Sequence, residues 1–503
     1  MQTKRDQVQA HMFLMSRLTS AMLRSDPDAP ESPQARTNRG IVWGVVIAVI
    51  LTAGSFVLGM FSPGQKTSWQ TSGDLVVDKD TGARYLYLDE RLRPVRNYAS
   101  ARLLAGADLG TTTVGGKSLR GTPRGTPVGI PGAPDQLPPG DAETSAPWLV
   151  CASRDHQAEE AEDSAFTTLA VGEEPGGDGL ASDEAALVRG PDGEDYLVWQ
   201  GSRLRLDADA GALEALGYSA QNAVVVSAAF LNSLPPGPDL SPAQASGLGE
   251  AGPQGVGTVG QVFEQTVAGG EARYFQLREE GLAPLTATEA ALILGDPGIR
   301  ADAYDGQTPR PLPLDSESVR ELLLETPGGR AGAMPEAPPK AVALADDGAL
   351  CASVLPEGQG TRISVSMVDA VALGAPSELS SDLAAPACTP VDHVVVPAGG
   401  GTLVRAVGAG GGRIGPSLYL VTEAGVKHRV DGEEAAAALG YGSTEPGEIP
   451  APLLAMVPSG PDLSELDARE GRVSLTEPFC DAPGEQDDAV IDGSEAESNE
   501  KTI

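Results

Sequence analysis

Apolar positions follow three patterns along the chain. Between Lys4 and Arg24, Val8, Met12, Met15, Leu18 and Met22 recur at three- and four-residue intervals, uninterrupted by Gly or Pro. That spacing predicts an amphipathic helix with Arg5, Gln9 and Arg24 on its polar side, suited to a membrane surface or, by its Met-rich face, to a protein partner. Asp26 to Pro33 carries three prolines and predicts a semi-rigid spacer. Ile41 to Phe61 then runs for 21 residues without a charge, enough to cross ~30 Å of hydrocarbon as one helix. A buried soluble helix is rarely apolar on every side. A secretory leader has an apolar region of about 7–15 residues near the N-terminus. Here 40 residues precede the segment and no A-x-A-like site follows directly. It reads as a permanent transmembrane anchor.

The third pattern is a repeat. GEDYLVWQGSRLRLDADAGALEALGYS from Gly193 matches GPSLYLVTEAGVKHRVDGEEAAAALGYGS from Gly415. Tyr196 and Tyr419, Leu216 and Leu439, Tyr218 and Tyr441, and the GPDLS segments at Gly237 and Gly460 are all 223 apart. Weaker copies begin at Ala83 and Ala272. In each copy a Tyr precedes a Gly by 21 residues: Tyr85/Gly106, Tyr196/Gly217, Tyr274/Gly295 and Tyr419/Gly440. A short strand, a polar turn and a second strand ending at Val95, Leu206, Leu285 or Val430 precede an Ala/Leu-rich helix. The closing Gly predicts a left-handed C-terminal cap. A hairpin plus helix of about 25 residues cannot bury its own core, so the units must pack on neighbours or on a central domain. WLVCAS at Trp148 and LCASVL at Leu350 predict strands of that domain.

The expected fold is therefore α+β: one transmembrane helix and four β-hairpin/helix repeats around a central β-rich domain. The expected division is 1–40 arm, 41–61 span, 62–120 repeat 1, 121–187 connector and central part, 188–245 repeat 2, 246–300 repeat 3, 301–412 central part, 413–470 repeat 4 and 471–503 acidic tail. Gly121 to Gly140 holds five Gly and six Pro, which excludes a helix or a central strand. It reads either as a disordered linker or as an extended connector wrapping between units. Residues 481–503 hold eight carboxylates and one Lys, the composition of a disordered tail.

Charge sets the topology. Lys4, Arg5, Arg17, Arg24, Arg36 and Arg39 precede the span, and only Lys66 lies between the span and Lys79. Basic flanks remain in the cytoplasm, so the bulk of the chain is expected outside. All four cysteines, Cys151, Cys351, Cys388 and Cys480, fall in that exterior portion, where disulfides persist. Four cysteines allow three pairings, and the spacing selects none of them. The net charge of −35 argues against nucleic acid.

Catalytic signals are weak. GTTTVGGKS (Gly110–Ser118) approaches a phosphate loop, but Thr111 stands where the first Gly belongs. His11, His156, His393 and His428 form no paired ligand spacing, and no G-x-S-x-G elbow occurs. DPGIRADAYDGQ (Asp296–Gln307) lacks the EF-hand spacing. The residues predict a non-enzymatic anchored scaffold without cofactor or metal. An anchored cell-wall-binding or sensor protein is the alternative, and an anchored nucleotide hydrolase a more distant one.

Several of these segments resemble one family. The arm Lys4–Pro33 followed by a single span, TGARYLYLDERLRPVRNYASARLLAG (Thr81–Gly106), PRGTPVGIPGAPDQLP (Pro123–Pro138) and the two GPDLS segments are similar to the EccB component of type VII (ESX) secretion systems. The resemblance runs from residue 4 to about residue 470. It implies a structural subunit of the membrane core, assembled with EccC-, EccD- and EccE-like subunits and a mycosin-like protease. It also implies homo-oligomer formation through the exterior portion, and export of small helical proteins of the WXG100 type. By the family's arrangement the resemblance implies that Cys151 pairs with Cys351, with Cys388 and Cys480 as a candidate second bridge. ATPase activity has been proposed in the family, and the segment Gly110–Ser118 gives it no support here. The acidic tail has no counterpart in the family pattern.

Overall fold

The computed structural model describes residues 4–24, 33–61, 68–70, 73–140, 146–154, 165–173, 176–266, 270, 272–324, 334–357, 360–377, 383–408, 412–476 and 480. The spacer up to residue 32, His156 and the acidic tail 481–503 lie outside these residues. The arm forms one helix, Lys4–Arg24, over the residues the periodicity marks out. A second helix, Pro33–Phe61, opens on a proline, whose missing N–H costs nothing in the first turn. It starts eight residues before the apolar segment, because Gln34, Ala35 and Arg36 are good helix formers and carry the helix into the flank. A mixed α/β body with several small sheets follows.

Each repeat is larger than a hairpin and a helix. A leading strand pairs antiparallel with the Tyr-bearing strand, which pairs with an outer strand. The helix then crosses over, and a short returning strand lies parallel to the leading one. The leading strands are Leu75–Asp78, Glu184–Arg189, Val262–Gln265 and Gly401–Val407. The returning strands are Thr111–Val114, Val224–Val225, Leu312–Pro313 and Gly447–Pro450. Repeat 2 thus begins before residue 188, repeat 3 extends past residue 300 and repeat 4 begins before residue 413. Returning strands of two to four residues carry too few side chains to show a period of two. The four tyrosines occupy one position, the middle strand: Tyr85 lies between Val76 and Pro94, and Tyr419 between Val404 and Arg429. Tyr196 and Tyr274 are placed likewise.

The offset of 223 is not unbroken. Tyr196 pairs with Arg205, whereas Tyr419 pairs with Arg429, so the repeat 4 turn holds one extra residue, and the helix restores the register. The predicted caps also divide. Gly440 is left-handed (φ 101°, ψ 11°) and Gly217 has φ 79°. Gly106 has φ 94° but an extended ψ of 177°. Gly295 is the last residue of its own helix, Ala287–Gly295, and Asp296 is the cap. A Cβ there would overlap the Ala215 side chain, so this Gly serves close helix packing instead.

The Gly/Pro-rich segment 121–140 is an ordered extended connector. Its first part is a strap along the outer strand of repeat 1: Leu92 N donates to Pro123 O, Gly125 N to Leu92 O, and Val128 N to Pro94 O. Repeat 2 does the same with Pro235, Gly237 and Leu240, and repeat 4 with Pro458, Gly460 and Leu463. The shared pattern is Pro-x-Gly-x-x-Val/Leu. Pro offers only its carbonyl, and Gly avoids the side chains of Arg93, Leu204 or His428 beneath it. Sheet edges that invite pairing with other chains are thereby covered. In repeat 3 the pairing shrinks to Leu282 with Leu323.

The central sheet is built on a seam between Trp148–Arg154 and Gly348–Glu357. They run antiparallel, Cys151 lies directly opposite Cys351 with Cα atoms 4.0 Å apart, and the two are disulfide-bonded. Both cysteines begin the tripeptide Cys-Ala-Ser, so the two strands carry the same sequence in opposite directions through one point. The rest of the body follows that symmetry. Repeat 1, a connector, a central hairpin and repeat 2 form one half; repeat 3, a connector, a second central hairpin and repeat 4 form the other. Repeat 1 packs on repeat 4 around Leu103, Ile130, Leu420 and Leu439. Repeat 2 packs on repeat 3 around Leu187, Leu216 and Leu292. Tyr218 Oη donates to Pro339 O at 2.7 Å, and Tyr441 Oη donates to Pro138 O at 2.7 Å. Helices Ala228–Ser233 and Ala451–Leu454, again 223 apart, pack in the main core beside Trp148 and Val354.

Two measurements check this account. Cys151→Ala with Cys351→Ala should keep the sheet hydrogen bonds but cost about 2–5 kcal/mol of stability, read as a lower thermal midpoint. Gly295→Val should cost about 1–3 kcal/mol through overpacking, whereas Gly360→Ala, in open space, should leave the midpoint unchanged.

Candidate functional site

Most of the exposed large apolar side chains among the described residues lie on the arm and the span. Val8, Met12, Met15, Leu18 and Met22 are each more than half exposed, and Met22 reaches 80 %. Phe13 and Leu14, which the helical spacing did not single out, are equally exposed and widen the stripe. The candidate span covers Thr37–Val57 with mean hydropathy 2.3, and none of it is buried within the chain. Ile41 stands inside that stretch and Phe61 ends the helix. These helices present their apolar residues to something other than this chain, whereas the repeats bury theirs.

The near-miss phosphate loop is a different object. Thr111–Val114 is the returning strand of repeat 1, and Gly116–Leu119 is a single helical turn. The Gly116 amide already donates to Asp80 Oδ2 at 3.0 Å, Thr112 Oγ1 donates to Asp74, and Asp78 lies beside Gly116. An incoming phosphate would meet three carboxylates in place of free amides. No group of three His, Cys, Asp or Glu among the described residues is placed to hold a metal ion. His393 stacks edge-on against Phe166, and His428 is buried with Nδ1 2.9 Å from Pro461 O. Burial pushes the His428 pKa below its ordinary value.

One feature escaped the sequence pattern: a cleft that occurs twice. In repeat 4, Tyr419, Lys427, Arg429, Leu454, Gly460 and Asp462 line a space of about 370 Å³. In repeat 2, Tyr196, Arg203, Arg205, Leu231, Gly237 and Asp239 line its equivalent, about 380 Å³. The Asp of each GPDLS segment pairs with the outer-strand arginine: Arg205 Nη2 to Asp239 at 2.7 Å, and Arg429 Nη1 to Asp462 at 3.3 Å. In repeat 4 the chain closes its own cleft. Ala385 and Ser459 exchange backbone hydrogen bonds, Thr389 N donates to Ala455 O, and the Cys388–Cys480 disulfide, Cα atoms 5.2 Å apart, fastens the segment. Aligning Pro123, Pro235 and Pro458 would have revealed the straps; the cleft itself needs three dimensions.

Lys427 Nζ donates to Leu454 O inside this cleft, and burial lowers its pKa to about 8. The unfolded chain therefore binds more protons than the folded one between pH 8 and the ordinary value of 10.5, and stability rises with pH across that window. At pH 7 the penalty is fully present, about 3 kcal/mol. Lys427→Met should remove this gain between pH 8 and 10.5 in denaturant titrations; an unchanged pH profile would contradict it.

The family model for the type VII secretion system ESX-1, transport TM domain B, matches residues 1–476. The chain is similar to the ESX-3 secretion system ATPase EccB3 of Mycolicibacterium smegmatis, 29 % identical over 489 residues that cover 92 % of this chain and 90 % of that protein. It is similar to the ESX-1 secretion system ATPase EccB1 of Mycobacterium tuberculosis, 29 % identical over 480 residues, covering 92 % and 93 %. Among solved structures, a chain of an intact ESX-5 inner membrane complex shares the fold with a TM-score of 0.63 at 24 % identity, over 96 % of this chain and 98 % of that one. An EccB3 dimer from the ESX-3 core complex gives a TM-score of 0.62 at 26 % identity, over 79 % and 99 %.

Proposed function

The chain belongs to the EccB family and is a structural membrane subunit of a type VII secretion system, and from that premise we propose that it organises the membrane core without catalysing a reaction. The observation that carries this reading is the division of the molecule. Two N-terminal helices leave their apolar residues exposed, while the repeats close on themselves. The arm helix docks on EccC-, EccD- and EccE-like neighbours on the cytoplasmic side. The repeats lie outside, beside a mycosin-like protease, and contact a second copy of the chain. The flanking arginines support that orientation.

Relatives carry the name ATPase. The carboxylates around Gly116 favour the non-catalytic reading, since they occupy the place a nucleotide phosphate needs. Purified full-length protein in nanodiscs should not release phosphate from ATP above a protein-free control, and Lys117→Ala should change nothing. Turnover lost in Lys117→Ala would overturn the reading. In cells, deleting residues 4–24 should abolish export of small helical proteins while the chain remains in the membrane. Undiminished export would remove the arm from the assembly role.

A further inference from the structure

Repeat 1 gathers five arginines along its outer edge, where repeat 2 has Arg203 and Arg205 and repeat 4 has Lys427 and Arg429. Arg91 and Arg93 lie on its outer strand Arg91–Pro94, Arg96 follows it, and Arg120 and Arg124 lead into and along the strap. Arg91, Arg96, Arg120 and Arg124 are exposed and have no ion-pair partner among the described residues. Arg93 lies against Gly125 of the strap, and its Nε donates to Thr126 O at 3.1 Å.

The fold does not require these charges. Repeat 3 has Leu282 and Pro284 on its outer strand where repeat 1 has Arg91 and Arg93, Leu285 before the helix cap where repeat 1 has Arg96, and Leu323 on the strap where repeat 1 has Arg124. Nor are the charges neutralised as in repeats 2 and 4, where a strap aspartate meets the outer-strand arginine. The strap of repeat 1 has Pro127 at that position and Arg124 in place of Pro236 or Ser459. The carboxylates nearby are Asp89 and Glu90 in the preceding turn, and Asp135, which pairs with Arg84 at 2.8 Å.

The edge also sits at the root of the anchor. Trp69 is fully buried against Leu92 and Leu119, the immediate neighbours of Arg91, Arg93 and Arg120. Only residues 62–68 separate Trp69 from the end of the long helix at Phe61, a covalent reach of at most about 29 Å. In a chain of net charge −35, a cluster of unpaired arginines held this close to the bilayer faces one obvious source of negative charge. We infer that the arginine edge of repeat 1 binds anionic phospholipid headgroups around the chain's own anchor, seating the body on the membrane. This rests on the membrane-anchored reading above but not on which side the body occupies.

The test uses the full chain in nanodiscs of phosphatidylcholine alone or with phosphatidylglycerol. Hydrogen exchange is followed at the amides of residues 91–96 and 120–128. Exchange there should slow by about tenfold or more in the anionic discs, and the difference should vanish at high salt. It should also vanish when Arg91, Arg96, Arg120 and Arg124 are all changed to Gln, with exchange in Trp148–Arg154 unchanged as the folding control. Equal exchange in both discs, or protection that survives the four substitutions, overturns the inference. Protection in native membranes but not in anionic discs would assign the edge to an acidic protein and equally overturn it. Both faces of a nanodisc carry the same lipid, so orientation does not affect this result. An alkaline phosphatase fusion after Thr476 tests orientation separately, being active only outside the cytoplasm.

Discussion

The seam between Trp148–Arg154 and Gly348–Glu357 is the constraint on which the rest of the body depends. An antiparallel pair relates its two strands by a local twofold axis, and here that axis passes between Cys151 and Cys351. Because the same Cys-Ala-Ser sits on both strands, whatever is attached to one is attached symmetrically to the other. Each strand continues into a hairpin partner and then a repeat, so the two halves cross: repeat 1 meets repeat 4 and repeat 2 meets repeat 3. The disulfide fixes a contact 200 residues apart in sequence, where the loop closed in the unfolded chain is long and its entropy large.

The repeats solve the problem of being small by two devices. Straps of Pro-x-Gly-x-x-Val/Leu cover the outer strands of repeats 1, 2 and 4 and occupy edges that would otherwise invite pairing. Helix ends interlock at close quarters: Arg102 Nη1 donates to Leu439 O at 2.8 Å, placing a cation at the negative end of the repeat 4 helix. On the other side of the axis the close approach is made by Gly295 against Ala215. Equivalent joints are therefore held by different chemistry, which is why the four closing glycines share a spacing but not a conformation.

The pattern of the sequence made the hairpins, the helix of each repeat and both N-terminal helices legible, because each has a period or a length that few alternatives share. Repeat edges were not legible. The leading strands of repeats 2 and 4 sit six residues before the Tyr-bearing strand and begin in segments that read as the central domain, and the returning strand Val224–Val225 is only two residues long. The connector was ambiguous because Pro and Gly mark both disordered linkers and covered edges, and only the hydrogen bonds to Leu92 and Pro94 distinguish them. The second cleft of the pair was invisible, since Arg203 and Lys427 become equivalent only after the one-residue slip in the turn.

The repeats bury their own cores, and the apolar surfaces left exposed on the two N-terminal helices are those of a component of something larger. Beside the span, the arm helix carries an exposed apolar stripe, and the account stands on that stripe being covered in the cell. The direct measurement is gentle detergent extraction of native membranes, followed by native electrophoresis of the full chain and of a chain lacking residues 4–24. The account predicts an assembly many times the 51.5 kDa of the chain, containing EccC-, EccD- and EccE-like proteins and lost on the deletion. A lone chain or a small dimer in both cases would contradict it.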